Sequence, residues 1–214
     1  MGGIDSEKVL GLDLSLTGTG LAGNTWTETL KPPAKLHDVA RIDWIRNTIV
    51  DRYLDDVALV VVEGPAYSRQ ANQQGHHERA GLWWVTIRAL WRRGVPYAVV
   101  TPGGLKRYAT GKGDASKDEV LVAVTRRFDW FAGDNNAADA LVLAAMGADH
   151  LGAPIVAMPE KHRTALAAVT WPAVDARPAP LEPPALSQIR LASDFDVNYP
   201  LGERPVDPHW GISR

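Results

Sequence analysis

The pattern of apolar and polar positions predicts strands and helices in alternation along the first part of the chain. Apolar residues with the spacing of strands occupy residues 9–14, and a glycine-rich turn at 17–20 predicts a reversal into antiparallel strands. Residues 34–54 have apolar positions at helical spacing, whereas residues 57–62 form one continuous apolar run. Such a run is typical of a strand covered on both faces. We therefore predict strands at 9–14, 21–23, 25–30 and 57–62, with a helix at 34–54.

Residues 66–169 are predicted to continue the alternation of helices and strands. A polar loop at 66–77 precedes the later elements, and Thr101-Pro102 fits the start of a short helix. Ser116 and Glu119 form a capping-box pattern. Asp134 or Asn135 is a suitable N-cap for a last long helix, which would place Asp139 in its first turn. The predicted elements are a helix at 78–93, a strand at 95–100, helices at 116–128 and 137–149, and a further helix at 158–169.

Composition changes most sharply near the end of the chain. Eight of the fifteen prolines fall between residues 172 and 214, where apolar positions show little periodicity. Such segments do not bury enough apolar surface to fold. We expect an α/β domain at 1–152, a helical extension at 153–171 and a largely disordered Pro-rich tail at 172–214.

The 214-residue chain has no cysteine, which excludes disulfides and thiolate metal sites. Its hydrophobic content of 45% and charged content of 22% are ordinary for a soluble globular protein. No apolar run is long enough to cross a membrane, and the first residues lack the apolar core of a signal peptide. We therefore expect a cytoplasmic protein without a membrane partner.

Positive charge is concentrated in one segment, although the net charge is −2. Between residues 88 and 127 there are nine lysines and arginines and three acids. This asymmetry favours a basic face that binds nucleic acid, and solvated helix surface is the competing interpretation. The cations are Arg88, Arg92, Arg93, Lys106, Arg107, Lys112, Lys117, Arg126 and Arg127.

Two acids stand at or near the ends of predicted strands. Asp13 lies in the first strand, and Glu63 follows the run at 57–62. A strand–helix–strand connection normally makes its two strands parallel, and sites form at the carboxyl ends of parallel strands. If the strands are neighbours, the carboxylates face each other, and their repulsion raises a pKa unless a divalent cation lies between them. The alternative for Asp13 is a buried acid that caps the turn. Asp139 is explained by the helix dipole alone.

Together, the acids and the basic segment suit phosphodiester cleavage by two metal ions. Two divalent ions stabilise the attacking and leaving oxygens, and carboxylates hold the ions. Oxygen ligands without thiolates select Mg²⁺, or alternatively Mn²⁺. Lysines would stabilise the phosphate charge of the transition state.

Four motifs then resemble a known family over residues 8–150. They are GLDLSLTGTG around Asp13, VVEGP around Glu63, GKGDASKDEV around Lys112 and Lys117, and NNAADAL around Asp139. In this order they resemble RuvC-like Holliday junction resolvases of the ribonuclease-H-like fold, and the divergent phage-encoded members in particular. The resemblance implies a five-stranded mixed sheet flanked by helices, a homodimer and Mg²⁺-dependent cleavage of branched DNA such as a four-way junction. It makes Asp13, Glu63 and Asp139 metal ligands and Lys112 and Lys117 functional lysines.

One position departs from the pattern of that family. The family commonly has a second acid three residues before the last aspartate, and here this residue is Asn136. Asp134 is either a fourth metal ligand or only the N-cap of the helix, and both interpretations stay open.

Three other functions compete with a junction resolvase. A ribonuclease H would share the fold and the acids but cut an RNA–DNA hybrid. A sugar kinase or actin-like ATPase also begins with an acid before a glycine-rich turn, but its usual form needs a second domain. A non-catalytic junction-binding protein would keep the acids without using them. The three tryptophans between 83 and 91 favour either a subunit interface or an aromatic-rich core helix.

Overall fold

Five strands form one mixed sheet in this computed structural model, which describes residues 8–65 and 75–173. In the sheet the order is β3-β2-β1-β4-β5. Strands β1 to β3 are antiparallel neighbours, whereas β4 and β5 run parallel to β1. This confirms the predicted five-stranded mixed sheet. The strands are β1 (Lys8–Asp13), β2 (Thr19–Ala22), β3 (Thr27–Leu30), β4 (Val57–Glu63) and β5 (Tyr97–Val100).

Helices cover both faces of the sheet. The described helices are α1 (Asp38–Tyr53), α2 (His76–Arg92), α3 (Pro102–Thr110), α4 (Lys117–Arg127), α5 (Asn135–His150) and the short α6 (Glu160–Arg163), which continues into a 3₁₀ turn at Thr164–Ala168. Helices α1 and α2 share a core with Leu10, Leu12 and Val60, which point to one face. Helices α3, α4 and α5 pack on the other face, with Val9 and Val61. Side-chain alternation along β1 and β4 thus divides the core into two layers.

Helix starts agree with the predicted capping chemistry. Thr101 accepts a hydrogen bond from the Gly104 N–H, and Pro102 is the first residue of α3. Ser116 and Glu119 form the complete capping box of α4. Asp134 is the N-cap of α5 and accepts from the Ala137 N–H.

Several predicted bounds were wrong. Helix α5 begins at residue 135 rather than 137, so Asp139 lies beyond the first turn and the helix dipole no longer accounts for it. Strand β2 begins at Thr19, inside the predicted turn, where Thr19 Oγ1 donates to the Ser15 carbonyl. The segment 158–169 forms the short α6 and a 3₁₀ turn instead of one helix.

The basic segment does not form one continuous face. Arg88, Arg92 and Arg93 belong to α2, and α2 packs on the α1 side of the sheet. Lys106, Arg107, Lys112, Lys117, Arg126 and Arg127 belong to α3, α4 and the loop between them, on the α5 side. The predicted basic surface is therefore divided between two layers of the fold.

In the part of the chain that the structure describes, no helix is long and apolar enough to cross a bilayer. All but the first two residues of the predicted Pro-rich tail lie outside the described residues.

Candidate active site

Asp13 and Glu63 end two neighbouring parallel strands. Leu12 of β1 pairs with Val62 of β4, and the two acids are the next residues of their strands. Both side chains point to the face that α5 covers, because they share that face with Val9 and Val61. The structure thus brings together the two carboxyl groups that the sequence predicted to meet.

Two glycines let α5 approach the sheet closely beside Asp13. A methyl group added at Gly11 would overlap the Ala140 carbonyl oxygen, and one added at Gly20 would overlap the Asn136 carbonyl oxygen. The backbone of α5 between Asn136 and Ala140 therefore rests directly on β1 and β2, and it brings Asp139 to the strand ends. The space beside Gly20 holds α5.

Burial makes the three carboxyl groups unusually weak acids. Asp13 and Asp139 each keep 8% of their surface exposed. Burial, reinforced by the charge of Asp13, raises the pKa of Glu63 to about 8. Burial and the same charge raise the pKa of Asp139 to about 6, and burial also raises the pKa of Asp13. The Glu63 carboxyl group holds a proton at neutral pH and donates a hydrogen bond to Asp13.

Lys117 is the cation that acts on all three acids. It is the first residue of α4, and the capping box of Ser116 fixes its backbone. Its charge opposes the rise in the pKa of Asp13, Glu63 and Asp139. Cations beside carboxylates favour the ionised form. Lys117 therefore lies where a lysine can act on a group bound at the acids.

Two further basic residues of α3 and the following loop differ in their surroundings. The charge of Lys106 also lowers the pKa of Asp139. Lys112 instead forms an exposed ion pair with Glu119, with Nζ 3.8 Å from Oε1. Exposed pairs of this kind contribute little to stability, so Lys112 is free to exchange this partner for another anion.

The remaining predicted DNA contacts lie on α2, which packs on the opposite face of the sheet from α5, and on α3. In α2, Arg93 donates from Nη1 to the Val50 carbonyl at 2.8 Å, and its other terminal nitrogen lies 3.9 Å from Asp51. Arg88 and Arg92 are exposed on the same helix. On α3, the Arg107 carbonyl accepts the Gly111 N–H that ends the helix.

Asp134 has a structural role at the start of α5. Its Oδ1 accepts from the Ala137 N–H at 3.0 Å and from Thr29 Oγ1 at 2.6 Å, which ties the start of α5 to β3. Burial raises the pKa of Asp134, but these hydrogen bonds outweigh burial and hold the pKa below its usual value. Asn136 faces the glycine-rich turn, because a methyl group at Gly18 would lie 3.0 Å from its Nδ2. A ligand role for Asp134 stays a prediction.

The donor set fits a divalent cation, although its geometry is open. Within residues 8–65 and 75–173, no three acidic or histidine side chains stand close enough together to enclose an ion. Burial and the charges of Asp13 and Asp139 nevertheless raise the pKa of Glu63, burial and the charge of Asp13 raise that of Asp139, and the three groups offer only oxygen ligands. A cation bound at these carboxyl groups would replace the proton between Asp13 and Glu63.

Sequence analysis missed three contacts that support the site. Trp83 Nε1 donates to the Glu63 carbonyl at 3.0 Å and so holds the end of β4. Thr29 binds Asp134, and His162 binds the carbonyl of Tyr108 at the end of α3. Each contact joins residues that are far apart in the sequence, so no local sequence pattern predicts it.

Known proteins similar to this chain agree on one family. No family model matches the sequence. Curated relatives named crossover junction endodeoxyribonuclease RuvC are 36% identical over 99 residues in Pseudarthrobacter chlorophenolicus and 32% identical over 149 residues in a Parafrankia species. The first alignment covers 45% of this chain and 52% of the relative, whereas the second covers 64% and 83%.

Solved structures of a known protein have the same fold as this chain. The structure of Thermus thermophilus RuvC superposes with a TM-score of 0.54 at 22% identity, covering 69% of this chain and 98% of that protein. The same protein in complex with a Holliday junction substrate gives a TM-score of 0.55 at 21% identity, with the same coverage. These likenesses support the ribonuclease-H-like sheet, and the resemblance to phage-encoded members stays a prediction. Because the alignment to the Parafrankia relative covers most of that protein at 32% identity, the chain belongs to the RuvC family of crossover junction endodeoxyribonucleases.

Proposed function

We propose that this protein is a Mg²⁺-dependent endonuclease that resolves four-way DNA junctions. One observation carries the proposal: the charges of Asp13 and Asp139, from a neighbouring strand and a helix, both act on Glu63, and the charge of Lys117 acts on all three acids. The curated relatives carry the name of junction endonucleases, and one solved relative is bound to a Holliday junction. Both facts favour branched DNA over other phosphodiesters.

Asp13, Glu63 and Asp139 would hold the metal. Two Mg²⁺ or Mn²⁺ ions bound there would supply an activated water and would neutralise charge on the scissile phosphate. Glu63 would lose the proton that it shares with Asp13, since the ionised carboxylate is the ligand. Asp134 keeps α5 in place through Thr29 and the Ala137 N–H, which sets the position of Asp139.

Basic residues on α3 and α4 would bind the DNA. Lys117, next to the acids, stabilises the negative charge that develops on the phosphate. Lys106 and Arg107 supply contacts to the phosphate backbone, which provide affinity without sequence information, whereas Lys112 acts mainly on the charge that develops in the transition state. Arg92 and Arg93, at the C-terminal end of α2, would reach a second arm of the junction. Arg88 lies between Trp84 and Trp91 on the same face of α2 and would border the dimer interface proposed below.

The outer face of α2 supports the proposal of a homodimer. Trp84 and Trp91 lie two turns apart on this helix and are 65% and 55% exposed. Tryptophan is favoured in interfaces, and a two-fold dimer would give one active site for each of the two strands that must be cut. In sedimentation experiments, Trp84→Ser with Trp91→Ser should shift the protein to monomer. Trp130→Ser, at another exposed tryptophan, should not.

Cleavage of synthetic DNA by the full chain tests the activity. We expect Mg²⁺-dependent cutting of a four-way junction, none in EDTA, and binding without cutting for Asp13→Asn. Asp43→Asn, an exposed aspartate of α1, is the matched control and should cut like the native protein. Equal cutting by Asp13→Asn and native protein would refute the metal site.

The substrate panel decides between the remaining functions. It contains a four-way junction, a flap, a linear duplex and an RNA–DNA hybrid. Cleavage of the hybrid alone would make the protein a ribonuclease H. Junction binding without cleavage under any divalent metal would make it a non-catalytic junction-binding protein.

A further inference from the structure

The chain after α5 forms α6 and the 3₁₀ turn, and this segment contacts the C-terminal end of α3. That end of α3 directly precedes the loop that carries Lys112. His162 Nδ1 lies 2.9 Å from the Tyr108 carbonyl oxygen. A carbonyl oxygen only accepts hydrogen bonds, so Nδ1 carries the proton and donates. The last carbonyls of a helix have no partner within the helix. His162 therefore caps the C-terminal end of α3 from a distant part of the chain.

The imidazole ring also covers the first residue of the loop. Gly111 ends α3 in the left-handed conformation, with a φ of 82°. A methyl group at Gly111 would lie 3.0 Å from His162 Nε2 and 3.3 Å from Cδ2. Immediately beyond, the Lys112 N–H donates to Thr110 Oγ1 at 3.2 Å. The imidazole ring of His162 therefore packs against the backbone that connects the end of α3 to Lys112.

The segment that carries His162 is attached to the core by several contacts. Arg163 donates from Nη2 at 2.8 Å and from Nε at 3.0 Å to Asp149, whose side chain is 2% exposed. The Tyr108 hydroxyl donates to the same carboxylate at 3.0 Å. Farther along, Trp171 stacks on His150 with ring centroids 4.1 Å apart. His162 is therefore held on a fixed support.

We propose that His162 is a positioning residue for the loop Gly111–Gly113, and through this loop for Lys112 and for Lys117 at the start of α4. His162 acts on this loop through its contacts with Tyr108 and Gly111. The effect of His162 on cleavage rests on the proposed function. The effect of His162 on the loop rests only on its contacts with Tyr108 and Gly111.

Two substitutions at His162 separate positioning from packing. His162→Ala removes both the donor and the ring, whereas His162→Asn keeps an amide donor the same number of bonds from Cα. We expect His162→Ala to lower the single-turnover rate of junction cleavage about 10-fold to 100-fold, the range that misplaced groups cause. The dissociation constant for the junction should change far less than the rate, and His162→Asn should restore most of the rate. Lys161→Ala, an exposed neighbour on α6, is the matched control and should cut like the native protein.

Hydrogen exchange of the backbone amides at 111–114 measures the loop directly. His162→Ala should accelerate this exchange, and His162→Asn and Lys161→Ala should leave it near the native rate. A native cleavage rate in His162→Ala would overturn the proposal. Equal losses of rate in both variants, in proportion to their loss of thermal stability, would also overturn it, since His162 would then be only structural. If the native protein cuts no DNA, the proposed function fails, and the exchange rates alone decide the positioning role.

Discussion

The Glu63 carboxyl group donates a hydrogen bond to the Asp13 carboxylate across the ends of β4 and β1. Two anions at this place would repel each other in a buried environment, and one proton between them removes the repulsion. The proton is held strongly, because burial and the charge of Asp13 raise the pKa of Glu63 to about 8. The site therefore responds to pH and to cations in a defined direction.

Without metal, the protein should become less stable as the pH rises from about 4.5 to about 8. Glu63 titrates near 4.5 in the unfolded chain and near 8 in the folded protein. In this window the native state binds the extra proton, so the free energy of unfolding falls with increasing pH. Asp139, with a pKa raised from 3.8 to about 6, adds to the loss at the acidic end. Urea unfolding in EDTA across this range measures the effect.

Glu63→Gln is the control for this pH dependence. Glutamine keeps a donor toward Asp13 and carries no titrating group, so most of the slope above pH 6 should disappear. An unchanged slope would show that other groups cause the dependence and would contradict the assignment to Glu63.

Cation binding near neutral pH should release about one proton from the protein, because the ligands of a metal must be deprotonated. Glu63 still holds its proton at this pH, so Mg²⁺ or Mn²⁺ must displace it. Calorimetric titration in two buffers of different ionisation enthalpy measures the number released. Asp43→Asn should match the native protein. Glu63→Gln should bind more weakly and release markedly less, and a proton count near zero in the native protein would contradict the shared proton.

The central strands and their acids follow from local rules. Strand periodicity identifies β1 and β4, and the helix between them requires a parallel crossover, so Asp13 and Glu63 had to meet if the strands were neighbours. Capping chemistry likewise predicted the starts of α3 and α4. These parts of the fold depend on residues that lie close together in the sequence.

The supporting contacts depend on partners far along the chain. Trp83 holds Glu63, Thr29 holds Asp134 and His162 holds Tyr108, and the local sequence around each residue does not identify its partner. The glycines of the first hairpin predicted a turn, but their sequence pattern did not indicate their second role. Their small size serves the approach of α5, and only the packing of the helix on the sheet reveals this.

Lys117 and Lys112 lie in one motif but should affect cleavage differently. The charge of Lys117 lowers the pKa of all three acids, so Lys117→Met should raise these pKa values further. We expect a cleavage rate lower by about 100-fold and a pH–rate profile whose acidic limb moves to higher pH. Lys112→Ala should lower the rate more than junction affinity and leave the profile in place, since Lys112 pairs with Glu119. The same displacement of the profile in both variants would contradict the distinction.

Gly20→Ala should damage the site by moving α5 away from the sheet. The added methyl group would overlap the Asn136 carbonyl, and backbone yields less readily than the end of a side chain. Overpacking of this kind costs about 1–3 kcal/mol in the free energy of unfolding, and here it would also displace Asp139 from Asp13. Urea unfolding and Mg²⁺ affinity measure the two effects.

Gly81→Ala in α2 is the matched control, because its methyl group would meet Ile42 at an ordinary 3.6 Å. Alanine in a helix interior should stabilise by about 0.5–1 kcal/mol and leave metal affinity unchanged. If Gly20→Ala loses stability but binds Mg²⁺ like the native protein, the close approach of α5 serves the fold without setting the position of Asp139.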